Sequence, residues 1–206
     1  PEEGKNSENF SRGLARLADV YVNDSFATCH RMHASVVGIT KHLPSCAGFL
    51  LEKELELLSK GLAPKHPFVV VLGGAKVSDK IGMVNHLAQK ADTLLIGGAM
   101  AFTFFRALGV RAGKSVVEEH EVMKAKELLA AYKNKIVLPR DIVVGASRDD
   151  TKGEVADVRS IPDNKMGLDI GPETARVYAE VVKSAKTVLW NGPMGLFENK
   201  AFLKGS

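Results

Sequence analysis

The stretch Phe68–Lys80, FVVVLGGAKVSDK, decides the fold. It opens with an apolar, β-branched run, Phe68 to Leu72, which suits a buried strand. The pair Gly73–Gly74 ends that run and lets the backbone approach a ligand closely, because no Cβ intervenes. Ile81 to Gln89 then has helical composition and spacing. The unit reads strand, tight glycine turn, helix. Lys76 and Lys80 are four residues apart and share one face if both lie on the first turn of that helix. Two cations there oppose the helix dipole. A bound multiply charged anion offsets this, and the first-turn N–H groups favour phosphate. The competing reading is a surface helix with two solvated lysines; phosphate binding is preferred over it.

The same theme recurs downstream. Thr93–Ile96 reads as a strand ending in Gly97–Gly98, followed by a helix over Ala101–Leu108. Glu118–Tyr132 reads as an amphipathic helix with Val122, Ala125, Leu128 and Leu129 inward. Strands are expected at Lys135–Leu138 and Ile142–Val144, and a polar, mobile connection over Gly145–Ser160. A helix over Glu173–Ser184 is preceded by glycine and proline, and a strand over Lys186–Trp190 ends in Asn191–Gly192–Pro193. Alternating strands and helices imply a mostly parallel sheet covered on both faces. Gly73–Gly74, Gly97–Gly98 and Gly192 then lie on one edge of it, the edge where α/β sheets bind ligands.

Upstream, Ser11–Ala18 reads as a helix and Asp19–Val22 as a short strand. Beyond the strand, Cys29, His30, Arg31 and His33 fall within five positions. Cys29, His30, His33 and Cys46 match no usual zinc spacing. An anion site is the better reading, with Arg31 as a fork-shaped donor to carboxylate or phosphate. Ala47–Leu62, AGFLLEKELELLSKGL, is the clearest helix, with Leu51, Leu55 and Leu58 on one stripe. Gly61, Pro64 and Pro67 stop it, and a domain boundary is placed there.

Composition excludes several classes. With 45% hydrophobic and 25% charged residues among 206, the chain resembles ordinary globular proteins. No apolar run approaches the roughly 20 residues of a membrane helix, and no targeting segment is visible. The net charge of +4 is scattered and aromatics are sparse, which suits small anionic substrates better than nucleic acid. Two cysteines, Cys29 and Cys46, suggest reduced thiols in a cytosolic protein. Gly109–Ser115, GVRAGKS, has one residue too few between its glycines for a phosphate loop of the GxxxxGK type and follows a helix, so it reads as a surface loop. A nicotinamide-binding domain lacks its GxGxxG here, and no GxSxG nucleophile elbow occurs.

Six segments, VYVNDSFATCHRMHAS, AGFLLEKEL, LGGAKVSDKI, IGGAMAFTF, MGLDIGPET and WNGPMGLFE, resemble the phosphoglycerate kinase family in order and spacing. The resemblance implies an α/β, two-domain parallel-sheet kinase fold with Rossmann-like three-layer domains, incomplete at both ends. Residues 1–46 would be the C-terminal part of the phosphoglycerate-binding domain, 47–62 the interdomain helix, and 63–206 a C-terminally truncated nucleotide-binding domain. It implies reversible phosphoryl transfer between 1,3-bisphosphoglycerate with ADP and 3-phosphoglycerate with ATP, using Mg2+, by a cytoplasmic monomer without nucleic-acid or membrane partners. As an alternative, this chain alone would be a nucleotide-binding module without turnover.

By that resemblance Arg31 contacts phosphoglycerate, Lys76 follows the transferring phosphoryl group, and Lys80 holds nucleotide phosphates. Gly74, Gly97, Gly98, Gly167 and Leu168 fall in the nucleotide pocket, Asn191, Gly192 and Pro193 line it, and Glu198 takes the ribose hydroxyls. Ala99 replaces a third glycine common in the family, and Ser25 and Ala27 also depart from its usual pattern. The N-terminal substrate motifs are expected before Pro1 and the magnesium-binding aspartate after Ser206, so no metal ligand is expected in this chain, which reads as a central piece of roughly half the family's length.

Overall fold

The computed structural model describes residues 1–61 and 63–206; the predicted end of the connector helix at Leu62 lies outside the described residues. The chain divides into two compact units, Pro1–Ala63 and Pro64–Ser206.

The first unit begins with α1, Glu8–Ala15, about three residues upstream of the expected helix. Its N-cap residue is Ser7, Glu8 in the first turn suits the dipole, and Arg16 closes it. Strand β1, Tyr21–Asn23, pairs in parallel with β2, Ser45–Ala47. Helix α2 runs over Phe49–Ser59. Its start is held from the β1 side, where the Asp24 carboxylate accepts from the Leu50 and Leu51 amides at 2.7 and 3.0 Å. A side chain at Gly48 would collide with that carboxylate. Within this unit the expected apolar stripe of α2 is not covered: Leu51 is 7% exposed, but Leu55 and Leu58 are half-exposed and Phe49 is 90% exposed.

In the second unit β3, Phe68–Leu72, has the predicted bounds and is buried at every position. Helix α3, Ile81–Lys90, is followed by β4, Thr93–Ile96, and α4, Met100–Ala107. Helix α5, Val122–Ala131, leads to the two-residue β5, Ile136–Val137. Next come β6, Asp141–Gly145, β7, Glu154–Asp157, and β8, Met166–Ile170. Helix α6, Pro172–Ser184, and β9, Thr187–Asn191, complete the unit. The order β5-β4-β3-β9 is parallel throughout. Alternate residues of β3 point to opposite faces. Phe68, Val70 and Leu72 join a large core with Leu94, Ile96, Phe102 and Phe105. Val69 and Val71 pack with Leu95, Ile170, Tyr178 and Met194 on the other face. This is why the run is apolar without alternation.

The polar segment Gly145–Ser160 is not merely a mobile connection. It contains β7, which pairs antiparallel with β6, and β8 pairs antiparallel on the other side of β6. The reading of a mostly parallel fold therefore holds for four strands and not for this three-stranded sheet. Glu154–Asp157, EVAD, is largely exposed and so carries no apolar pattern of its own. Its ladder is supplied by β6.

Candidate functional site

The parallel sheet brings the glycine-bearing strand ends together, as expected. The Gly73 amide donates to the Asn191 carbonyl at 3.0 Å and the Gly74 amide to Pro193 at 2.8 Å. The Gly98 amide donates to Met194 at 2.9 Å, and the Met100 amide, opening α4, donates to Gly74 at 3.0 Å. Backbones this close leave no room for a Cβ: at Gly98, where φ is +64°, it would lie 2.5 Å from the Gly74 nitrogen. At Gly192, with φ +89°, it would meet the Gly73 carbonyl and the Lys80 ammonium.

A cleft of about 240 Å³ opens beside these strand ends. Gly74, Gly98 and Pro193 form one wall, Gly167 and Leu168 of β8 another, and Glu198 lies at the rim. Six of the nucleotide-site residues expected from the sequence thus share one cavity. Ala75, Ala99, Val116, Arg148, Met166 and Gly195–Phe197 also line it. Of these, Met166 and Gly195–Phe197 fell inside quoted family segments without being singled out. Arg148 and Val116 lie in stretches that carried no usable signal. Gly97 is adjacent but faces Met194, where a Cβ would lie 2.4 Å from the sulfur. Asn191 and Gly192 end at the Lys80 ammonium rather than on the cleft wall.

The two lysines do not share the first turn of a helix. Residues 73–80 form an irregular loop, and Lys80 is the N-cap residue of α3. Lys76 is exposed on the loop. Lys80 instead turns inward and donates to the Gly73 carbonyl at 2.6 Å and the Asn191 carbonyl at 3.3 Å, tying the ends of β3 and β9. Burial lowers its pKa, with Asp79 pulling the other way. The expected free N–H groups ahead of α3 are also partly taken. The Glu118 carboxylate accepts from the Val77 and Ser78 amides and from the Ser78 hydroxyl.

Around the cleft's second wall, Asp169 is buried and accepts from the Ile170 and Gly205 amides, both at 2.8 Å. Burial raises its pKa to about 6 against those hydrogen bonds. Asp141 of β6 accepts from the Thr174 hydroxyl and the Glu173 and Thr174 amides, fixing the start of α6. Burial pushes Asp141 up, but these bonds outweigh it and its pKa is lowered.

Arg31 lies in the first unit, exposed, just beyond a short 3-10 turn at Phe26–Thr28. Cys29 and Cys46 are exposed free thiols. Among the described residues no group of three or more His, Cys, Asp or Glu side chains is disposed to hold a metal ion.

The family model described as phosphoglycerate kinase matches residues 1–206. The chain belongs to the phosphoglycerate kinase family. It is 56% identical over 211 aligned residues to a phosphoglycerate kinase of Moorella thermoacetica, and 50% identical over the same length to one of Clostridium kluyveri. Both alignments take in 100% of this chain, and 54% and 53% of those proteins. The chain therefore spans about half the length of the curated relatives it matches. The structure of phosphoglycerate kinase from Coxiella burnetii superposes with a TM-score of 0.83 at 39% identity, covering 98% of this chain and 54% of that one. That of phosphoglycerate kinase from Pyrococcus horikoshii OT3 gives 0.86 at 34% identity, covering 94% and 51%. The α/β fold with a parallel sheet is thus that of phosphoglycerate kinases.

Proposed function

We propose that the intact protein transfers a phosphoryl group reversibly between 1,3-bisphosphoglycerate with ADP and 3-phosphoglycerate with ATP, and that residues 63–206 supply the nucleotide side. The observation that carries this reading is the glycine-walled cleft at the edge of the parallel sheet, with exposed Lys76 on the adjoining loop. Phosphoryl transfer asks the protein for positioning and charge neutralisation rather than a covalent nucleophile. A backbone-lined cleft and an exposed cation beside it meet those needs.

In this reading Gly74, Gly97, Gly98, Gly167, Leu168 and Pro193 form the wall against the base, and Glu198 accepts from the ribose hydroxyls. Lys76 is the catalytic cation on the transferring group. Lys80 joins the nucleotide phosphates by exchanging its carbonyl partners for phosphate oxygens, beside Asn191 and Gly192. Arg31, in the part of the chain assigned to phosphoglycerate (residues 1–46), holds that substrate, and helix α2 belongs to the interdomain connector. Magnesium accompanies the nucleotide, neutralising its phosphate charge. The donor set among the described residues does not fit a metal ion of its own, so no step is assigned to one here. Cytoplasmic residence and a monomeric state belong to the same reading.

Calorimetric titration of the chain with ADP, ATP and NADH, with and without magnesium, tests the nucleotide side. Binding of ADP or ATP but not NADH is expected; a folded chain that binds none of them sinks the assignment of the cleft. A transfer assay on the intact protein tests the reaction. There Lys80→Ala is expected to weaken ADP binding. Arg31→Ala is expected to raise KM for 3-phosphoglycerate about 10-fold, the usual worth of a charged hydrogen bond. An unchanged KM would leave Arg31 with a structural role.

A further inference from the structure

We infer that Glu118 is a positioning residue for Lys76, a role that rests on the assignment of Lys76 to the transferring phosphoryl group. Lys76 is exposed, and among the described residues no hydrogen bond or ion pair holds its ammonium. Its placement is therefore set by its backbone. The Val77 N–H belongs to the peptide plane shared with Lys76, and Glu118 Oε2 accepts from it. The same oxygen accepts from the Ser78 amide at 3.0 Å, and Glu118 Oε1 accepts from the Ser78 hydroxyl at 2.7 Å. One carboxylate thus holds the Val77–Ser78 turn that directly follows Lys76 by three donors, one of them on the peptide shared with Lys76, each stronger for the charge on the acceptor. Burial raises the Glu118 pKa, but the bonds from Ser78 and Val77 outweigh it and hold the group below the usual carboxylate value. The acceptor is ionised at neutral pH.

Glu118 is itself anchored. Its amide donates at 3.1 Å to the hydroxyl of Thr103, a buried residue of α4. The strap leading to it is tied to the cleft. The Ser115 hydroxyl accepts from the Gly167 amide at 2.9 Å, and Val116 lines the cavity. The strap therefore runs from the cleft's second wall to the lysine loop within four residues. Lys80 has a separate anchor in the Gly73 and Asn191 carbonyls. Loss of Glu118 should accordingly displace Lys76 and spare Lys80.

The test is made in the intact protein with the isosteric Glu118→Gln and with Ser78→Ala, which removes one of the three donors. Glu118→Gln is expected to lower kcat about 10-fold or more, the scale of a lost charged hydrogen bond. ADP affinity is expected to stay near wild type, Tm to fall by only about a few degrees, and amide exchange at Val77 and Ser78 to accelerate. Ser78→Ala is expected to move kcat the same way by less. An unchanged kcat in Glu118→Gln overturns the role, as does a kcat that falls in step with ADP affinity and Tm. Absence of phosphoryl transfer in the wild type would instead overturn the proposed reaction. In that event the exchange rates decide for Glu118, and unaltered protection at Val77 and Ser78 removes it from the loop.

Discussion

Strands β3 and β7, one from each sheet of the second unit, are built under different constraints. In the parallel sheet, β3 is buried at all five positions and its neighbours approach through glycines at their ends. In the antiparallel sheet, β7 is exposed at three of its four positions and is held by its ladder to β6. Yet both sheets contribute to the cleft, the first through Gly74, Gly98 and Pro193, the second through Met166–Leu168. The contrast separates two demands on a site. Close packing of strand ends needs backbone that cannot yield. Enclosing a ligand needs only a surface of the right shape.

If that division is right, the largest effect belongs to the loop after β3. Lys76→Ala in the intact protein is expected to lower kcat by about 10²–10³, the usual worth of one transition-state donor, with ADP affinity little changed. Steady-state kinetics with calorimetry reads both, and equal loss of the two would remove Lys76 from the transferring group.

Next is the tight backbone itself. Gly98→Ala combines a positive φ with a Cβ placed against the Gly74 and Pro193 backbones. It is expected to cost about 3 kcal/mol in urea unfolding, whereas Gly109→Ala, with positive φ but open space around it, costs about 1 kcal/mol. Equal costs would mean that the strand ends can yield.

Asp169 of β8 tests the second wall through pH. Burial lifts its pKa from 3.8 to about 6, so the folded state binds this proton more tightly than the unfolded chain does. Its contribution is fully present below the unfolded pKa and is lost as pH rises through the folded one. Relative to wild type, Asp169→Asn is expected to gain stability, on the order of 2 kcal/mol, between about pH 4 and 7. A stability difference that stays flat across that window would show that the carboxylate titrates normally.

The smallest effect is expected on β7. Val155→Thr, at a position 60% exposed, is expected to change stability by less than about 0.5 kcal/mol. Val71→Thr on β3, 2% exposed, is expected to cost about 1–3 kcal/mol by burying a hydroxyl. Similar losses at both positions would erase the distinction between the two strands.

The same constraints governed what could be read. A strand buried on both faces must be apolar throughout, so β3 is visible as Phe68–Leu72. β4, buried at three of its four positions, is visible for the same reason; β9, whose Val188 and Trp190 face outward, is visible through the glycine that ends it, so the parallel sheet is not covered on both faces at that edge. β7 was not, because an exposed strand needs no hydrophobic pattern and its partner lies across a turn. Gly167, Leu168 and Glu198 could be placed near a nucleotide only through family resemblance, since nothing local marks them. A four-residue spacing puts Lys76 and Lys80 on one face only if both lie in a helix, and that condition is not met. Ser78 and Asp79 instead belong to an irregular loop, whose turn is held by a carboxylate 40 residues away.

The sequence alone determined the succession of strand, glycine and helix, the edge on which the glycine-bearing strand ends meet and membership of the phosphoglycerate kinase family. Each follows from local burial demands or from residues in fixed order. Tertiary structure alone decided which lysine faces outward. Lys80 is drawn in by the Gly73 and Asn191 carbonyls, the latter 111 residues away, while Glu118 fixes the backbone beside Lys76. Those partners meet only once the sheet has formed, and no spacing along the chain encodes their distance.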